Sequence, residues 1–206
     1  MLFKTVTLLG SSSGRNAGDA ALISGIMEAV DAACGEQLLY EIPTIKPVYI
    51  RNHYPNNRTK AVPMLPWNLS IKMLGLPTYR SIMRADLILI FDAILFDRAL
   101  YNPLFNFMST LNLLLPFAKR HGKRLAYYNV GTGPVNTPRG CTMLRDLSDM
   151  MDFVAVRDQD SYDILQDIGV SNPRVFIGAD AALNVGASDE ANALAILGKL
   201  GLDPNE

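Results

Sequence analysis

The sequence predicts a doubly wound, mostly parallel α/β sheet with helices on both faces. Short apolar runs alternate with helix-length segments along almost the whole chain. Several runs lack the period-2 pattern of a half-exposed strand, as expected where both faces of a parallel sheet are covered. Loops of small residues follow the runs, and in open α/β sheets ligands bind at the carboxyl ends of the strands.

The first element is the apolar run Leu2 to Leu9, a strand. The glycine-serine loop Gly10 to Gly18 follows, and Asp19 opens the amphipathic run Ala20 to Ala33 as its expected N-cap. Such a helix start offers unpaired N–H groups and a partial positive charge to a ligand. Further strands are expected at Gln37–Tyr40, Asp86–Phe91, Arg124–Tyr128, Asp152–Val156 and Arg174–Ile177. Further helices fit Thr78–Arg84, Pro103–His121, Arg139–Met151, Gln159–Ile168 and Asp189–Leu200, with Gly122, Gly169 and Gly201 as stops. Pro116 should bend the long third helix.

Composition narrows the class. The chain has 206 residues, 49% of them hydrophobic and 19% charged, which suits a well-buried domain and argues against disorder. Cys34 and Cys141 stand far apart, and His53 and His121 are the only histidines, so neither a zinc site nor a disulfide framework is expected. No signal peptide is read, and the apolar run Leu87–Phe96 is broken by Asp92 and too short to span a bilayer. A cytoplasmic protein, in contact at most with the inner face of a membrane, is the expectation.

The net charge of −1 hides an asymmetry. From Ile42 to Ala85 there is no acid, while Lys46, Arg51, Arg58, Lys60, Lys72, Arg80 and Arg84 are basic and six of the 12 prolines fall there. The stretch also holds the apolar segment Met64–Pro77 with the only tryptophan, Trp67. It reads as a basic, Pro-rich insertion, packed on the domain or touching an anionic membrane surface.

Four strand-end motifs could carry chemistry. The first loop has glycines at 10, 14 and 18, matching neither G-x-G-x-x-G nor G-x-x-x-x-G-K-[ST]. Glu41, where the second strand was expected to end, keeps a nicotinamide-dinucleotide reading open. Asn129-Val-Gly-Thr-Gly-Pro134 follows the fourth strand, and Gly131 and Gly133 strip side chains from a crevice floor. Val156-Arg-Asp-Gln-Asp-Ser161 places Asp158 as an N-cap with Ser161 at N3. Arg157, at a strand end, suits a phosphate or carboxylate, or a salt bridge to an acid such as Asp180. Gly178-Ala-Asp180 ends the last strand, and Asp180 could orient Arg157, bind a sugar hydroxyl or simply form a turn. No Ser-His-Asp or Cys-His set is visible.

Together these segments resemble the N-terminal half of the polysaccharide pyruvyl transferase family. Gly14-Arg-Asn-Ala-Gly-Asp-Ala-Ala-Leu22 is similar to its G-x-x-N-x-G-D-x-x-[IL] opening, and Asn129–Pro134 to its G-x-G-[IT]-G-P loop. Val156–Ser161 matches S-V-R-D-x-x-S, and Ala179-Asp180 matches an A-D-P element. The four occur in family order across residues 1 to about 185. One departure is Ile90-Phe-Asp-Ala93, where the family usually has a glycine triplet.

The resemblance implies a Rossmann-like domain over 1–185, one half of a two-domain (GT-B-like) transferase. Residues 186–206 then form a linker helix toward a second domain. It also implies transfer of pyruvate from phosphoenolpyruvate, a co-substrate rather than a cofactor, to a sugar of a cell-surface polysaccharide. This half would hold the acceptor, a glycan or lipid-linked sugar, and would be inactive alone. The implied catalytic residues are Asp19 and Arg157, with Gly14, Asn16, Gly18, Asp92, Gly131, Thr132, Gly133 and Asp180 binding substrate. No metal and no nucleic-acid partner is expected. A nucleotide-sugar glycosyltransferase and a non-catalytic single-domain binding protein remain alternatives.

Overall fold

A computed structural model describes residues 3–12, 16–54, 57–64, 75–100, 106–186 and 189–201. Seven parallel strands form one sheet in the order β3-β2-β1-β4-β5-β6-β7. They are β1 (Thr5–Leu9), β2 (Leu39–Thr44), β3 (Thr59–Pro63), β4 (Leu87–Ile90), β5 (Arg124–Val130), β6 (Phe153–Val156) and β7 (Val175–Ile177). The chain moves outward from β1 to β3, then returns to place β4 on the other side of β1. That reversal opens a crevice between the carboxyl ends of β1 and β4.

Both sheet faces are apolar, and successive residues serve opposite cores. Val6, Leu8, Leu89 and Phe91 pack with Leu22, Ile23, Ile26 and Ile50, from α1 (Ala17–Cys34) and α2 (Pro47–His53). Leu9, Ile88 and Ile90 pack on the other face with Ile82, Leu111, Leu144 and Leu165. Those come from α3 (Gly75–Arg84), α4 (Phe107–Arg120), α5 (Pro138–Met150) and α6 (Gln159–Asp167). This double burial is why the strands read as continuous apolar runs.

After β7 the chain returns across the sheet to α1. A 3-10 turn, Ala181–Asn184, lies on that helix where Gly25 has no side chain; a Cβ there would stand 2.1 Å from the Ala181 carbonyl oxygen. The last helix, α7 (Glu190–Leu200), has no buried residue.

Several expectations need correction. The stretch 42–85 supplies part of the sheet: it contains the end of β2, α2, β3 and α3. The signal was faint because β3 is a short, polar edge strand, where a terminal proline costs no ladder bond. Asp19 is not the N-cap of α1; Asn16 is, its side chain accepting from Gly18 N at 2.9 Å. Glu41 does not end β2, which runs on to Thr44. It is buried mid-strand and bound by Arg84 (2.7 Å) and Lys60 (3.1 Å), which removes the basis for a ribose-binding acid. Burial raises the Glu41 carboxyl, but hydrogen bonds from Arg84, Ser81 and Lys60 outweigh it and hold it below the usual range. The third expected helix starts at Phe107, capped by Asn106, and continues past Pro116 to Arg120. Trp67 and Gly14 lie outside the described residues.

Candidate functional site

The crevice is built from the loops that leave β1, β4, β5, β6 and β7 at one edge of the sheet. On the β1 side, Asp19 lies in the first turn of α1, is only 7% exposed, and accepts a hydrogen bond from Ser11 Oγ at 2.7 Å. Ser12 Oγ donates to the Pro43 carbonyl (2.6 Å) and Thr44 Oγ1 donates to the Ser12 carbonyl (2.6 Å), which ties this loop to the end of β2. Gly10 makes room for the Phe91 ring, 2.6 Å from where its Cβ would be. Its missing side chain is thus explained by packing.

On the β4 side stands Asp92, where the family usually has glycine. Its φ is 71°, the left-handed region that favours glycine, and its Oδ1 accepts from the Ala93 N–H at 2.6 Å. A non-glycine residue held there stores strain that the surrounding structure must support. Burial pushes the Asp92 carboxyl up. The Asp19 charge pushes the same way, while N–H groups of Ala93 and Ser11 and the Arg157 charge pull it down. Asp92 therefore feels both Asp19 and Arg157, and burial wins.

The β5 loop is locked by its neighbours. Gly133 N donates to the Leu95 carbonyl at 2.7 Å, joining it to the loop after β4. Thr132 is buried, its N–H and hydroxyl both donating to Ser161 at 3.0 Å. Asp97, not singled out in the sequence, accepts from the N–H groups of Asn136 (2.8 Å) and Thr137 (2.6 Å) and clamps the loop exit. Burial opposes its ionisation, but these bonds and the Thr137 hydroxyl hold it below the ordinary range.

Beyond this loop lies Arg157. Its Nε is 3.2 Å from Asp158 Oδ2 and its Nη1 is 3.6 Å from Asp180 Oδ2, so the expected Asp180 salt bridge forms. The guanidinium lies across Gly131, where a Cβ would come within 2.9 Å of Nε. Asp158 also caps α6 through Ser161 N at 2.8 Å. Asp180 caps the 3-10 turn through Ala182 N at 2.9 Å. Asn129 is a further candidate: its φ is 51°, and its Oδ1 would be 2.5 Å from a Cβ at Gly178. Asn129 opens the second strand-end motif, but its left-handed backbone carries no sequence signal of its own.

The Arg157 guanidinium and the carboxylates of Asp19, Asp92, Asp158 and Asp180 thus stand along a single sheet edge. Carboxylates accept from sugar hydroxyls, and a carboxyl with raised proton affinity is a better proton acceptor than an ordinary one. The guanidinium suits an anionic group. Among the described residues no cluster of His, Cys, Asp and Glu could hold a metal ion.

This geometry coincides with a family assignment: residues 16–203 match polysaccharide pyruvyl transferase. The chain belongs to that family. It is a transferase family of polysaccharide modification, and the described residues of all four strand-end motifs lie at the carboxyl edge of one sheet. Among curated protein sequences none matches the chain. Among solved structures, a putative UDP-N-acetylglucosamine 2-epimerase from Listeria monocytogenes is similar, with TM-score 0.56 and 13% identity over 96% of this chain and 52% of that one. The UDP-GlcNAc 2-epimerase from Neisseria meningitidis, bound to UDP-GlcNAc, gives TM-score 0.55 and 12% identity over 96% and 50%. HepE from Anabaena, in complex with UDP-glucose, gives TM-score 0.53 and 12% identity over 96% and 50%. At these identities the likeness is one of fold, that of GT-B glycosyltransferases and epimerases. The chain spans about half the length of these structures.

Proposed function

We propose that this chain is the acceptor-side half of an enzyme that transfers a pyruvyl unit from phosphoenolpyruvate to a sugar of a cell-surface polysaccharide or its lipid-linked precursor. The observation that carries the reading is that Asp19 and Asp92 follow the two strands at the switch point and that the Arg157 charge acts on Asp92. In the reaction a sugar hydroxyl oxygen attacks C2 of the enol ester and C3 takes up a proton. Phosphate leaves with its bridging oxygen, and a second hydroxyl closes a ketal. One hydroxyl proton is balanced by the new methyl group and the other departs with phosphate. Asp92 and Asp19 hold and deprotonate the acceptor hydroxyls, and Arg157 steadies the anionic group at the rim. The helix α7 links this half to a donor-binding half; its uncovered Leu194, Ile196 and Leu200 support that role.

A nucleotide-sugar enzyme is the second reading, favoured by the UDP-sugar complexes among the similar structures. Equilibrium binding of bacterial surface glycans, with phosphoenolpyruvate and UDP-sugar as competitors, tests both. Glycan binding that survives excess phosphoenolpyruvate and is lost in Asp19→Asn is expected. Displacement by phosphoenolpyruvate would overturn the acceptor assignment, and tight UDP-sugar binding without glycan binding would favour the second reading.

A further inference from the structure

The acid-free stretch 42–85 carries cations that the fold does not neutralise. Arg58 pairs with Asp31 of α1, and Lys60 and Arg84 share Glu41. Lys46, Arg51 and Arg80 are exposed and, among the described residues, have no acid partner. Lys46 precedes α2, Arg51 is in its last turn, and Arg80 is on the outer side of α3.

Exposed apolar residues accompany them. Ile45 is 42% exposed, Val48 59% and Leu76 51%. Ile45 directly follows β2, and Val48 and Leu76 lie in the first turns of α2 and α3. β2 and β3 run parallel with Thr44 opposite Pro63, so α2 begins at the carboxyl edge, and α3 begins there too, with Pro77 beside Val62 and Pro63 and Arg84 beside Lys60; the two helices cover opposite faces of the sheet. That is the edge that holds the crevice. Since β2 adjoins β1, the patch begins about 5 Å along the sheet from the end of β1, whose loop meets Asp19 through Ser11.

Apolar side chains at a rim, backed by cations that have no acid partner among the described residues, are the chemistry of an interfacial contact with anionic lipid. A protein partner would need a shaped, largely uncharged centre to the patch. Here the apolar residues lie on two helices separated by the sheet edge and are interspersed with cations, which suits a broad, deformable, negative surface. Among the described residues no helix is long and apolar enough to cross a membrane.

We propose that the β2–β3 corner is a peripheral docking surface for an anionic lipid bilayer, with Ile45, Val48 and Leu76 dipping into the headgroups and Lys46, Arg51 and Arg80 facing lipid phosphates. Docking there turns the crevice mouth toward the bilayer, where a lipid-anchored substrate would present its polar head. The proposal does not depend on pyruvyl transfer, because its test reads binding alone.

The test is co-sedimentation with phosphatidylcholine vesicles, with and without an equal part of phosphatidylglycerol, at low and high salt. Binding is expected only with the anionic lipid and should weaken with salt. Each neutralised cation should lower partitioning about fivefold, and Lys46→Gln/Arg51→Gln/Arg80→Gln on the order of a hundredfold. Val48→Ser/Leu76→Ser should also weaken it, at unchanged melting temperature. Lys123→Gln/Arg145→Gln/Lys199→Gln, with the same charge change elsewhere, should not. No binding, equal binding to neutral vesicles, an equal loss in the control triple, or indifference to the Val48/Leu76 change would each overturn the proposal.

Discussion

Gly25 and Gly198 both lie inside helices, yet changing each to alanine should not have the same effect on stability. Alanine is intrinsically better than glycine in a helix by about 1 kcal/mol. At Gly198 the added Cβ meets nothing within 4 Å, so the helix should keep most of that gain. At Gly25 the Cβ would stand 2.1 Å from the Ala181 carbonyl oxygen. Ordinary contact requires the 3-10 turn to recede by about 1.3 Å, and because the obstacle is backbone, no rotamer change can relieve it. Overpacking of this kind costs about 1–3 kcal/mol, leaving a net loss on the order of 1 kcal/mol. For a chain of this size that is about 2–4 °C lower in melting temperature, whereas the Gly198→Ala gain stays within a helix that has no buried residue and should not lower it. Urea and thermal denaturation of the two variants, side by side, measure this. If Gly25→Ala is as stable as Gly198→Ala, the seating of the turn on α1 is wrong, and with it the placement of Asp180 beside Arg157.

Other expectations follow from the crevice. Arg157→Ala in a complete enzyme should lower turnover at least tenfold, because its salt bridges are part-exposed and worth under about 1 kcal/mol to stability; a fall in melting temperature large enough to explain the lost activity would assign the residue to the fold. Asp92 has a raised carboxyl, so the folded state opposes its ionisation and loses stability as pH rises from the usual aspartate range through the raised value. Asp92→Asn should therefore stabilise at neutral pH, with the gain vanishing on acidification below that range; a gain that ignores pH would refute the desolvation argument. Gly131→Ala should displace the Arg157 guanidinium, a flexible group, so ligand binding should weaken while the melting temperature stays nearly constant.

Most of the element order, outside β3 and α2, and the parallel sheet were legible in the sequence because they rest on local signals. Double burial makes strands such as Leu87–Ile90 uniformly apolar, and capping and stop residues bracket most helices. Asp158 could be read as a cap because its partner, Ser161, is three residues away. Other features depended on partners far along the chain. The edge strand Thr59–Pro63 has too little apolar content to announce itself and is defined by pairing with β2. Asn16, not Asp19, caps α1 because the helix begins a turn earlier than its apolar pattern, which frees Asp19 for Ser11 and the crevice. Glu41 looked like a ribose ligand until Arg84, 43 residues away, closed on it. Local propensity and burial pattern fix which elements form. Only the tertiary structure, by seating the turn after β7 on Gly25 and Asp92 opposite Asp19, decided which charged groups face one another, because those contacts join residues with no sequence signal in common.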